Sequence, residues 1–313
     1  MEKKKPPLVA ILGQTASGKT RISAHVADRI GGEILSADSR QVYKNMNIGT
    51  GKDYDQYLVN GQKIPYHLID LVDPGIEYNL YRYMTDFLQS FKSIIKREKV
   101  PVICGGSGLY LHAILKGYDL AEVPVNRKLR NELVSSNMEQ LKHTLLQMKV
   151  PHNKTDLEDR DRLLRAIEIA RYDQEHSIHR KNLIGFEEVI PIRKMVFGIQ
   201  FDRETIRKRI TARLKARIRE GMIDEVNTLL DSGITIRRLE SFGLEYRYAT
   251  LFLTGKLSYQ EMFDRLNIAI HQFAKRQLTW FRKMEREGIE IKWINGLLPL
   301  ESKVKIVCEA VGG

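Results

Sequence analysis

The chain has only two cysteines in 313 residues, Cys104 in an apolar run and Cys308 near the end. That is too few for a disulfide framework or a zinc knuckle. No apolar stretch approaches the roughly 18 residues that span a bilayer, and Met1-Glu-Lys-Lys-Lys-Pro-Pro7 lacks the apolar segment of a secretion signal. Repeats and low-complexity segments are missing as well. These absences argue against a secreted disulfide scaffold, a helical membrane protein and a solenoid. They predict a cytoplasmic protein in a reducing compartment that does not engage a membrane. Acids are scarce beside bases, 39 against 51, which gives a net charge of +12 and a pI of about 9.5. Such an excess fits a polyanionic partner, and equally a merely basic surface. With 42% hydrophobic residues, the chain can fill one large core or two modest ones.

The most informative stretch runs Leu-Val-Ala-Ile-Leu-Gly-Gln-Thr-Ala-Ser-Gly-Lys-Thr from Leu8 to Thr20. It is a short apolar run, then a phosphate-loop spacing, then the start of a helical pattern. Gly13, Gln14, Thr15, Ala16, Ser17 and Gly18 would close backbone N–H groups around an anionic oxygen cluster. Lys19 adds a point charge, and Thr20 offers a hydroxyl to a Mg²⁺ ion at a helix N-terminus. The spacing specifies a diphosphate or polyphosphate without saying what molecule carries it.

Apolar, β-rich runs at Leu8–Leu12, Ile34–Ala37, His67–Leu71 and Val100–Cys104 alternate with helical patterns such as Ile22–Ile30 and Tyr81–Lys96. That rhythm predicts an α/β fold, a phosphate-loop core on a parallel sheet. From about Asn126 to Glu187 the chain is charged and amphipathic with breaks near Pro151 and Gly185, which predicts an inserted helical domain. The expected division is core over 1–117, helical insertion over 118–187, and core again over 188–313 with C-terminal helices. In the last part, strand character at Met195–Phe201 precedes a helix over Glu204–Arg219 closed at Gly221. A long helix from about Ser258 to Arg286 carries an inner stripe at Leu266, Ile270, Phe273, Gln277, Trp280 and Met284.

Asp38-Ser39-Arg40-Gln41 follows the second strand. In an open α/β sheet the carboxyl ends of the strands line the ligand crevice, so Asp38 should stand near the phosphate loop. It could hold Mg²⁺ through water, take a proton from a substrate, or simply cap a turn.

The phosphate loop is one of five motifs in order. The others are Asp38-Ser-Arg-Gln-Val-Tyr…Met46-Asn-Ile-Gly-Thr, Gly105-Gly-Ser-Gly-Leu-Tyr110, Asp161-Arg-Leu-Leu-Arg-Ala-Ile-Glu168 and Lys275-Arg-Gln-Leu-Thr-Trp-Phe-Arg282. Together, nearly end to end, they resemble the tRNA dimethylallyltransferase family. The resemblance implies transfer of a dimethylallyl group from dimethylallyl diphosphate to N6 of the adenosine 3′ of the anticodon, with Mg²⁺ as cofactor, the tRNA anticodon stem-loop as partner and a monomeric enzyme. The loop would then hold a prenyl diphosphate, where Lys19, Thr20, the loop amides and Mg²⁺ meet the charge that builds on the leaving group.

By the same resemblance Asp38 is the general base, and Arg213, on a helix with Arg209 and Arg217, contacts the diphosphate. Ser39, Arg40 and Gln41 would read the extruded base with Asp38, and Ser107 stands where the family usually has threonine. Further tRNA contacts are implied at Arg130, Asp161, Arg162, Arg165 and Gly243, and at Lys275, Arg276, Gln277, Thr279, Trp280 and Arg282. The chain departs from the family pattern at Gln14, usually Pro, and at Gly49-Thr-Gly-Lys-Asp53, usually Gly-Thr-Ala-Lys-Pro. It departs again at Gly243-Leu-Glu245, usually Gly-Tyr-Arg. Two competing functions share the phosphate loop: prenylation of free adenine nucleotides, and an ATP-dependent kinase. The helical insertion and the basic C-terminal helix speak against the first, and the remaining motifs against the second.

Overall fold

The computed structural model describes residues 7–118, 120–148, 157–176 and 193–312; Pro151 and Gly185 lie outside them. They form two compact units. One combines the described residues up to Tyr118 with those from Arg193 onward, and the other lies between Leu120 and His176.

The larger unit is built on a parallel six-stranded sheet. Its elements in chain order begin β1 (Leu8–Gly13), α1 (Lys19–Ile30), β2 (Gly32–Ala37), a short antiparallel hairpin outside that sheet, β3 (Leu58–Val59) and β4 (Gln62–Lys63), and β5 (Tyr66–His67). Then come α2 (Leu80–Lys96), β6 (Val100–Gly105) and α3 (Gly108–Lys116). The smaller unit contributes α4 (Arg127–Glu132), α5 (Met138–Met148) and α6 (Arg160–Glu175). After it follow β7 (Lys194–Gln200), α7 (Arg203–Arg219), α8 (Met222–Asp231), α9 (Ile236–Ser241), α10 (Leu244–Leu253), α11 (Tyr259–Arg286), β8 (Ile291–Asn295) and α12 (Leu300–Gly312).

Spatial order in the sheet is β5-β2-β6-β1-β7-β8. β1 reads as a continuous apolar run because both its faces are covered; every residue of β1 and β2 is buried, Glu33 and Ser36 included. Register then places the functional loops. Gly105 at the end of β6 pairs with Leu12 of β1 on one side and Ala37 of β2 on the other. The phosphate loop, the Gly106–Ser107 turn and Asp38 therefore leave the sheet together, at the carboxyl ends of its central strands. A Cβ on Gly105 would fall 2.3 Å from the Ala37 carbonyl, so this close approach needs glycine.

Three sequence expectations change. The strand expected over His67–Leu71 is only β5, because Leu68 and Asp70 take left-handed φ of 67° and 56° and turn the chain out of the ladder. β8 was not expected; its short run alternates too weakly to stand out. In α11 the buried side includes Leu266, Ile270, Ala274, Gln277, Phe281 and Met284, whereas Phe273 faces solvent at 38% exposure.

The smaller unit packs α4, α5 and α6 around Leu129, Leu141, Leu145, Leu163, Leu164 and Ile167. Inside it Glu168 is buried and clamped, accepting from Arg130 Nε at 2.6 Å and from Arg165 Nη1 at 3.1 Å. Burial alone would raise its pKa, but the two arginines hold it below the ordinary glutamate range.

Candidate active site

The loop from Gly13 to Thr20 wraps over the end of β1 and opens α1. Ala16 and Gly18 take left-handed φ of 61° and 79°. A Cβ at Gly13 would lie 2.7 Å from Ser17 Oγ, so the turn closes only on glycine. Arg209 of α7 donates from Nε to the Ala16 carbonyl at 2.9 Å and stacks on Phe201, bracing the loop from the β7 side. Lys19 Nζ reaches back to the Gln14 carbonyl at 3.5 Å. Burial holds its ammonium below the usual lysine range; Arg213 adds to that, and Cys104, Asp38 and Asp53 oppose it. A desolvated cation among other cations is relieved by an anionic ligand. Thr20 lies in the first turn of α1, on the wall of the same cavity.

That cavity, of about 670 Å³, is lined by Lys19, Thr20, Arg209, Arg213, Asp53 and Glu220, among others. Arg213 Nη2 donates to Asp53 Oδ2 at 2.6 Å. One turn further along α7, Arg217 is buried, with Nη1 3.9 Å from Glu245. Burial lowers the Arg217 pKa and Arg213 lowers it further, while burial raises that of Glu245 against the pull of Arg217. A Cβ on Gly51 would sit 1.7 Å from Arg217 Nη2, so the space a side chain would take belongs to the guanidinium. Gly51, Asp53 and Glu245, three of the departures from the family pattern, thus meet at two arginines.

On the acceptor side, Asp38 Oδ1 accepts from the Arg40 backbone at 2.9 Å, a turn-capping bond, one of the three roles its position left open. Its second oxygen has no hydrogen-bond partner among the described residues and stays available for a substrate proton. The Ser107 hydroxyl accepts from the Ser39 backbone at 3.0 Å, tying the loop after β6 to the loop after β2. Gln41 is held at both ends, accepting from Ser36 Oγ and donating to the Gly51 carbonyl. The side chain of Arg40 lies against Gly243, whose φ of 138° only glycine tolerates.

Other expected contacts are placed differently. Gln277 is 5% exposed: its Oε1 accepts from the Thr15 backbone at 2.8 Å and its Nε2 donates to the Gly106 carbonyl at 2.9 Å. The amide thus ties α11 to the phosphate loop and to the turn after β6, a support role that the sequence did not predict for it. Gln14, in place of a family proline, adds a second tie by donating to the Ala274 carbonyl at 2.9 Å. Trp280 is also turned inward, its ring packed on Gly108, where a Cβ would come within 2.3 Å. Lys275, Arg276, Thr279 and Arg282 do face solvent from α11, and none of the three cations is paired with a carboxylate among the described residues. Asp161 and Arg162 are exposed on α6, whereas Arg130 and Arg165 serve Glu168.

Glu225 of α8 was missed. Its carboxylate accepts from the backbones of Asn47, Ile48 and Gly49 at 2.7, 2.7 and 3.0 Å and from the Tyr246 hydroxyl at 2.6 Å, fixing the loop that carries Gly51 and Asp53. No local spacing signals a carboxylate 176 to 178 residues away from its partners.

A model of the IPP transferase family matches residues 41–284. The chain is 48% identical over 297 residues to tRNA dimethylallyltransferase 1 of Parabacteroides distasonis, covering 95% of each chain. It is 51% identical over 290 residues to tRNA dimethylallyltransferase 1 of Syntrophus aciditrophicus, covering 92% of this chain and 93% of the relative. Among solved structures, the tRNA delta(2)-isopentenylpyrophosphate transferase of Staphylococcus epidermidis superposes with a TM-score of 0.68 at 29% identity, covering 98% of this chain and 99% of that one.

Proposed function

The chain belongs to the IPP transferase family, the tRNA dimethylallyltransferases, and from that premise we propose how its own residues carry the reaction. The enzyme transfers a dimethylallyl group from dimethylallyl diphosphate to N6 of the adenosine 3′ of the anticodon in tRNA, releasing diphosphate. The observation that carries the assignment of roles is the shared pairing of Gly105 with Leu12 and Ala37, which brings the phosphate loop and Asp38 together at the carboxyl ends of neighbouring strands.

The donor lies in the α7 cavity with its diphosphate in the phosphate loop. As N6 forms its bond to the allylic carbon, the C–O bond breaks and negative charge moves onto the diphosphate. Lys19, the loop amides and Arg213 stabilise that charge where it develops. The proton leaving N6 goes to the free oxygen of Asp38, whose other oxygen keeps the carboxylate oriented. The adenosine must leave its stack to reach Asp38, and Ser39, Arg40 and Gln41, which follow Asp38 on the same loop, are the residues proposed to meet the tRNA there.

Thr20 is the residue that would hold Mg²⁺. Among the described residues no three His, Cys, Asp or Glu side chains gather as a protein cage. A hydroxyl beside a diphosphate site suits an ion that takes most of its oxygens from phosphate and water. Such an ion supplies charge neutralisation to the diphosphate.

The exposed cations Lys275, Arg276 and Arg282 are proposed to meet tRNA phosphates. No helix among the described residues is long and apolar enough to cross a membrane. Action as a monomer in the cytoplasm completes the proposal.

The test is parallel incubation of the protein with tRNA, AMP or ATP, each with dimethylallyl diphosphate and Mg²⁺, followed by mass detection of prenylated product. Product on tRNA alone is expected. Product on AMP would move the enzyme to the free-nucleotide class.

A further inference from the structure

The diphosphate cavity contains an anion of its own. Asp53 and Arg213 are each 30% exposed, both line the cavity, and a single 2.6 Å hydrogen bond joins them. The contrast with the next turn of α7 is instructive. Arg217 is 8% exposed and wedged against Gly51, so its position is fixed by packing. Arg213 also reaches Gly51, its Nη2 2.7 Å from where a Cβ would stand, but it is less enclosed, and its one side-chain hydrogen bond among the described residues is to a carboxylate that faces the same space a diphosphate would fill.

The loop carrying Asp53 is itself held firmly. Glu225 fastens Asn47, Ile48 and Gly49, and the buried Lys52 ammonium donates to the Tyr43 carbonyl and to Asp70 at 2.5 Å each. The backbone on the N-terminal side of Asp53 is therefore held, and the carboxylate itself accepts at Oδ2 from Gln56 Nε2 at 3.1 Å as well as from Arg213. A diphosphate taking up Arg213 must compete with Asp53 for the guanidinium and lie beside its negative charge.

We propose that Asp53 is an affinity-setting positioning residue: it aims Arg213 into the cavity and, by competing for it, weakens diphosphate binding and speeds release of the diphosphate product. This rests on the reading of the cavity as the prenyl-diphosphate site. Asp53 acts through Arg213 and takes no part in bond making.

The experiment is calorimetric binding of inorganic pyrophosphate, at one fixed Mg²⁺ concentration, to the full-length wild type and to Asp53→Asn, Asp53→Glu and Lys19→Ala. Asp53→Asn should bind about three- to tenfold more tightly, the effect of removing one half-exposed charge beside the ligand. Asp53→Glu, which keeps the charge, should stay within about twofold of wild type. In turnover, Asp53→Asn should lower KM for dimethylallyl diphosphate and make pyrophosphate a stronger product inhibitor, a pattern that general loosening of the loop would not give. Unchanged or weaker pyrophosphate binding in Asp53→Asn overturns the proposal while leaving the donor site standing. If wild type and Lys19→Ala bind pyrophosphate equally poorly, the donor-site reading fails and this inference fails with it.

Discussion

Gln277 Oε1 accepts the backbone N–H of Thr15 at 2.8 Å, joining the long C-terminal helix to the phosphate loop across 262 residues of sequence. The same amide donates to Gly106, so one side chain holds two of the three loops at the carboxyl ends of the central strands. Gln277→Leu should raise KM for the prenyl donor by about tenfold, since two hydrogen bonds at ~0.5–1.5 kcal/mol each position the loop. Affinity for tRNA should be nearly unchanged, because Lys275, Arg276 and Arg282 point away from that contact. The opposite pattern, weakened tRNA binding with normal donor KM, would place Gln277 on the RNA face.

Asp38→Ala is expected to slow transfer by roughly 10²–10⁴, the range for loss of an acid–base group. Pyrophosphate binding should barely move. Single-turnover transfer with saturating donor and tRNA measures this directly, and an unaltered rate would remove Asp38 from proton transfer.

Replacing Lys275, Arg276 and Arg282 together with Ala should flatten the salt dependence of tRNA binding. At ~0.7 per single-strand phosphate contact, three contacts account for a log–log slope of about 2. Transfer at saturating tRNA should survive. Parallel slopes for wild type and triple variant would mean that this face is only solvated, and the RNA surface would then be sought at the exposed Asp161 and Arg162.

A buried histidine should make the fold sensitive to acid. His112 is 3% exposed; its Nε2–H donates to Glu287 and its Nδ1 accepts from the Tyr118 hydroxyl, each at 2.6 Å. Burial holds its pKa below the usual histidine range, with Lys283 and Lys116 adding to the lowering and Glu287 opposing it. The unfolded chain then takes up a proton near pH ~6.5 that the folded chain refuses. Its contribution to stability is full above that value and is lost as pH falls toward the depressed folded value. The slope is at most about 1.4 kcal/mol per pH unit. Denaturant unfolding at pH 5, 6 and 7 should show a smaller acid loss for His112→Gln than for wild type. Equal losses would place the acid sensitivity elsewhere.

Local chemistry made part of this site legible in sequence. Glycines at 13 and 18 followed by Lys19 and Thr20 announce a phosphate loop because their function is a local backbone shape. Asp38 was legible because strand ends line the crevice in an α/β sheet. The loop-tying role of Gln277 was not legible because its burial depends on where α11 lands, and a glutamine between Arg276 and Leu278 looks like part of a basic surface. Glu225 and the Lys52–Asp70 pair were invisible for a similar reason: their partners are set by folding and not by spacing. Likewise, His67–Leu71 has strand composition, but two left-handed residues decide its path.

In the proposed reaction the allylic C–O bond breaks as N6 of the tRNA adenosine forms its new bond, so one diphosphate is released for each adenosine prenylated. The most direct test is one single-turnover reaction in which pyrophosphate release and prenyl-adenosine in nuclease-digested tRNA are followed together. Equal amounts, formed at the same rate and absent without tRNA, are predicted. Pyrophosphate release with unmodified tRNA, or at the same rate in its absence, would contradict it.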